Sequence, residues 1–99
     1  MPRLLSPIRP GEILRDDFMR PLELSINRLA HDLDVPPNRI SAILSGRRAV
    51  TADTALRLER YFGVAAQTWL NLQSSYELRV VQRHVGKRIQ RSVRPREAA

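Results

Sequence analysis

Residues 34–48 read DVPPNRISAILSGRR. Two prolines supply the fixed φ that suits the first turn of a helix, and Ile40, Ile43 and Leu44 then fall on one face before Gly46 offers a C-terminal stop. Just upstream, Ser25 is a natural N-cap for a helix whose Ile26, Leu29, Ala30 and Leu33 recur at i, i+3, i+4 and i+7. The short turn between Leu33 and the working part of the next helix has the spacing of a helix-turn-helix unit. Ala30 is small where two helices must cross, Val35 can plug the turn, and Ile40 and Ile43 anchor the second helix inward. Pro37, Asn38, Arg39, Ser41, Ala42 and Ser45 are then predicted to face outward.

That outward set suits a DNA reader. Asn pairs bidentately with adenine, Arg with guanine, and a small Ala can touch a thymine methyl. Pro37, Asn38, Arg39 and Ala42 are therefore the candidate base-reading positions. Ser41, Ser45, Arg47, Arg48 and Thr51 are the candidate phosphate contacts. An exposed helix face also carries Asn, Ser and Arg for solubility alone, so the spacing leaves simple packing open.

Outward from this unit, Pro10 to Met19 reads as a first helix with Ile13, Leu14 and Phe18 on its stripe, closed by Pro21. Thr51 caps a fourth helix, Asp53 sits in its first turn, and Ala55, Leu58 and Phe62 face inward before Gly63. A fifth helix is predicted from about Ala66 to His84 and is apolar around much of its girth, through Trp69, Leu70, Leu72, Tyr76 and Val80. Trp69, Leu72 and Tyr76 are the candidate dimer contacts, because the fifth helix offers more apolar surface than four others could cover. No strand pattern, repeat or low-complexity block occurs. The expected fold is all-α, with five helices in one domain over 1–84 and a basic, disordered tail over 85–99.

The 99 residues, 42% of them hydrophobic, suffice for one core. The net charge of +7 is uneven: residues 1–78 carry ten Lys/Arg and nine Asp/Glu, whereas 79–99 carry seven against one. A cysteine-free chain has neither disulfides nor a thiolate metal site. No apolar run approaches a membrane span, and the opening MPRLLSPIRP is too short and proline-broken for a signal peptide, so a soluble, cytoplasmic protein is expected. His31 and His84 have no second metal ligand at helical spacing, no hydroxyl has a base beside it in the pattern, and no glycine loop cradles phosphate. Neither an enzyme nor a metal or cofactor site is expected.

Three motifs carry a resemblance: PGEIL at 10–14, RLAHDLDVPPNRISAILSGRRAVTADTALRLERYFG at 28–63, and WLNLQSSYELR at 69–79. Over about seven tenths of the chain they resemble the HigA antitoxins, within the Xre/Cro-like (lambda repressor-like) helix-turn-helix proteins. The resemblance implies an all-helical homodimer that neutralises a RelE-like, RNA-cleaving toxin and represses its own operon by binding operator DNA. A two-fold dimer would place two reading helices in successive major grooves, about 34 Å apart, on an inverted repeat. The chain departs from the pattern at Ile26, where relatives often have Gln, at Asp34, where the turn usually has Gly, and at Arg9, where His is common. A solitary Xre-type regulator without a toxin fits the same helices. A protein-interaction module whose basic tail binds RNA or a membrane surface is the remaining alternative.

Overall fold

The computed structural model describes residues 7–97, so the opening MPRLLS and the last two residues of the expected tail lie outside it. Five helices follow in order: α1 (Pro10–Ile13, continued by a π-helical segment Leu14–Met19), α2 (Ile26–Leu33), α3 (Pro37–Leu44), α4 (Ala52–Phe62) and α5 (Ala66–Ser92). No strand occurs among the described residues. The chain is all-α, as its periodicity predicts.

Most helix ends follow their sequence signals. The Ser25 and Thr51 hydroxyls accept the backbone N–H of Arg28 and Thr54, satisfying donors that a helix start leaves unpaired. Asp34 closes α2 in the left-handed region, at φ 59° and ψ 49°. The N–H of Asp34 bonds to His31 O and that of Val35 to Ala30 O, the Schellman pattern. Gly46, at φ +82°, repeats it at the end of α3, with Gly46 N–H on Ile43 O and Arg47 N–H on Ala42 O.

Two elements differ from the sequence reading. Leu14–Met19 is wound as a π-helix, with Arg20 N–H bonded to Arg15 O five residues back. Leu14 and Met19, at the two ends of this segment, are both buried. The second difference corrects the expected tail: α5 runs to Ser92, eight residues past His84. Lys87, Arg88, Gln90 and Arg91 are good helix formers, and the single Gly86 costs only about 1 kcal/mol in a helix interior.

The core lies where the first four helices meet the start of α5. Leu14, Leu29, Ala30, Ile40, Ile43, Ala55, Leu58 and Trp69 are each at most 2% exposed. Phe18 bridges Phe62 and Trp69, with ring centroids 5.0 and 5.1 Å away. Gly11 lets α1 lie directly on α3: a Cβ there would overlap the carbonyl of Ile43 and stand 2.9 Å from Leu44 Cα. That approach seats the first helix against the C-terminal half of α3.

The length of α5 explains its apolar girth. Its 27 residues make a rod of about 40 Å, longer than the two shorter dimensions of the molecule, 32 and 22 Å. The face carrying Trp69, Gln73, Tyr76 and Val80 turns toward the other helices, and all four are buried or half-buried. Nine residues, two and a half turns, separate Trp69 from Leu78, so Leu78 points the opposite way. From there Leu78, Val81, Val85 and Ile89 form a second apolar stripe, with Leu78, Val81 and Ile89 exposed by 61, 48 and 45%. The face that begins with Trp69 continues distally as Arg83 and Lys87.

Candidate nucleic-acid interface

The reading unit is α2, the turn at Asp34–Pro36, and α3. Ala30 and Ile40 are fully buried at the crossing, and Val35 fills the turn at 9% exposure. These three fix which side of α3 faces solvent. Pro37, Asn38 and Ser45 are exposed, Ser41 and Ala42 half-exposed. Ser41 and Ser45 donate their hydroxyl protons back to Asn38 O and Ala42 O, and Ser45 Oγ accepts from Arg47 Nε at 3.0 Å. Arg47 is thereby folded along the end of α3. Arg48 is exposed beside it and shares a shallow groove with Tyr76 and Glu77 of α5. Thr51 is exposed, with its hydroxyl committed to the cap of α4.

Arg39, expected among the outward base-reading positions, is instead paired within the chain. Its side chain is 23% exposed and runs sideways to α4, where Nη1 donates to Asp53 Oδ1 at 3.0 Å. Arg57 Nε donates to the same oxygen at 2.7 Å, and Arg57 Nη1 donates to Leu33 O and Asp34 O at 2.9 and 3.1 Å. Hydrogen bonding from Arg57 holds the Asp53 carboxyl below its ordinary range; partial desolvation opposes this, and the charges of Arg57 and Arg39 add to the lowering. Asp53 and Arg57 carry an i,i+4 signal in the sequence, yet their reach to α2 and α3 depends on tertiary packing. Arg9 is a similar case. Its Nη2 donates to Leu44 O at 3.3 Å, placing a cation at the negative end of α3, and its Cδ would stand 2.9 Å from a Cβ at Gly46.

The expected dimer contacts separate. Trp69, 1% exposed at the start of α5, is sealed in the chain's own core and has no surface left for a partner, which corrects its place among them. Leu72 and Tyr76 are half-buried. The larger exposed apolar stripe is the distal one from Leu78 to Ile89. Among the described residues, no group of three His, Cys, Asp or Glu side chains could hold a metal, and no helix is long and apolar enough to cross a membrane.

Two short helices joined by a tight turn, the second presenting Asn, Ala and Ser to solvent and followed by two arginines, define a DNA-binding helix-turn-helix class. The chain belongs to the helix-turn-helix family, whose model matches residues 17–69, and within it to the HigA antitoxins. It is 51% identical over 78 residues to virulence-associated protein I of Dichelobacter nodosus, covering 79% of this chain and 72% of that one. Among solved structures it is similar to the Pseudomonas aeruginosa antitoxin HigA with the higBA promoter, at 43% identity and a TM-score of 0.87, covering 90% of this chain and 97% of that one. It is also similar to the antitoxin GraA in complex with its operator, at 39% identity and a TM-score of 0.87, with 93% of each chain covered.

Proposed function

We propose that this chain is the antitoxin of a HigBA-type module in the cytoplasm: it neutralises a RelE-like, RNA-cleaving toxin and represses its own operon by binding operator DNA as a two-fold dimer. The carrying observation is the exposed leading end of α3, Pro37 and Asn38, on a helix packed against α2 and α1, in a chain whose relatives were solved with promoter or operator DNA. Asn38, Ala42 and Pro37 meet base edges, while Ser41, Ser45, Arg47, Arg48 and Thr51 meet phosphates. Arg39, tied to Asp53, stands beside the reading face. The distal stripe of α5, Leu78, Val81, Val85 and Ile89, joins the two copies, and the half-buried Leu72 and Tyr76 lie on the other side of the helix from it.

Co-expression with the neighbouring reading frames tests the proposal. A toxin encoded there should arrest growth alone, copurify with this chain, and be silenced by it, and the complex or the free chain should retain the upstream DNA against competitor. Retention of its own promoter with no such toxin would make the chain a solitary regulator. Sequence-blind binding that vanishes steeply with salt would overturn operator recognition altogether.

A further inference from the structure

One carboxylate holds two guanidiniums where three helices meet. Asp53 Oδ1, in the first turn of α4, accepts from Arg39 of α3 and from Arg57 of α4. Arg57 continues to Leu33 O and Asp34 O at the end of α2, where the helix dipole leaves negative partial charge. The end of α2, the first turn of α3 and the first turn of α4 are thus tied through a single side chain that is itself 59% exposed. Arg39 adjoins the exposed Asn38 at the leading end of the reading helix. An unrestrained arginine there would be drawn to any nearby phosphate, whatever the sequence.

We propose that Asp53 is a specificity-determining positioning residue for operator recognition. By holding Arg39 against α4 it withholds one cation from indiscriminate phosphate pairing, and it fixes the roll of α3 on which Asn38 and Ala42 are presented. The proposal rests on the operator-binding reading above. It assigns sequence discrimination to a residue on the helix after the reading unit.

The test uses the full chain and two labelled duplexes of equal length, its own upstream operator and a scrambled version, titrated over a series of salt concentrations. Asp53→Asn keeps shape and an acceptor oxygen but loses the charge that holds two arginines. It should tighten binding to the scrambled duplex, steepen the dependence of log K on log salt by about 0.9, and narrow the ratio of operator to scrambled affinity about tenfold. In an Arg39→Gln background the same substitution should leave the salt slope unchanged. Asp53→Glu, which keeps the charge, should restore the wild-type slope. An unchanged slope and ratio in folded Asp53→Asn overturns the proposal, as does a slope change that persists without Arg39. Should Asp53→Asn fail to fold, Arg39→Gln decides alone: an unaltered slope with a reduced ratio supports the proposal, and a slope lowered by about one overturns it, because Arg39 then already pairs with phosphate. If the wild-type chain does not prefer its operator to the scrambled duplex, the operator reading fails first, and the proposal with it.

Discussion

The Tyr61 hydroxyl donates to Asp32 Oδ2 across 2.6 Å, joining α4 to α2. Asp32 also accepts from Arg28 Nε at 3.1 Å. The bond from Tyr61 holds the Asp32 carboxyl below its ordinary 3.8, against some desolvation and with help from His31 and Arg28, and it pushes the Tyr61 phenol up.

The fold should therefore lose stability in acid with a known sign. A carboxyl whose folded value lies below its unfolded one stabilises the fold at pH above the unfolded value, and that contribution disappears as pH falls through the folded value. Tyr61→Phe should raise the Asp32 value in a carboxyl NMR titration. The variant should be less stable than wild type near neutrality and nearly equal to it in strong acid. Equal pH profiles for the two proteins would contradict the role given to this bond.

Gly11→Ala tests the seat of α1 on α3. The added methyl meets the Ile43 carbonyl and Leu44 Cα, both backbone, so neither can swing aside. A loss of about 1–3 kcal/mol or more is expected from overpacking, read as a lower denaturant midpoint at unchanged slope. A neutral Gly11→Ala would mean that the two helices separate easily.

Base and phosphate contacts should respond differently to substitution. Asn38→Ala is expected to cost about 1–3 kcal/mol on the operator and to relax preference at one base position. Arg47→Ala or Arg48→Ala should weaken all duplexes alike and flatten the salt slope by about one. Fluorescence anisotropy on an operator series with single base changes separates these outcomes, and interchanged responses would reverse the assignment.

The distal face of α5 predicts a change in assembly. Val81→Asp places a charge in the stripe between the exposed Leu78 and the half-buried Val85. Sedimentation should show the monomer in place of a dimer, with operator affinity lowered at least tenfold, since a monomer engages one half-site. Helix content should be unchanged, because Val81 is 48% exposed in the single chain.

The reading unit was legible because short-range rules fix it. Ser25, Asp34, Pro37, Gly46, Thr51 and Gly63 each start or stop a helix through their own backbone or side chain. Burial of Ala30, Ile40 and Ile43 followed from periodicity, and that of Val35 from its place in the turn. Contacts between distant segments were not legible in the same way. Gln73 Oε1 accepts Val50 N–H, Glu59 Oε2 accepts the first amide of α5 at Ala66, and Arg39 turns to Asp53. Each depends on where another helix lies, which a spacing rule along one helix does not encode. Trp69 shows the limit from the other direction. An apolar residue at helical spacing fits a core and an interface equally well until the rest of the fold closes over it.

The reversal of apolar sides along α5 makes that helix a phased rod. Its proximal face is indexed to the four-helix body and its distal stripe to the far end, with no loop between them to absorb an error. A substitution at Gln82, on the flank of the stripe, changes one contact. Deletion of Arg79 would instead rotate the stripe from Val81 onward by about 100° and draw it in by about 1.5 Å relative to the body. The chain should therefore accept many changes of side chain in this stretch and almost no change of length, a constraint on the reading frame of the helix more than on its composition.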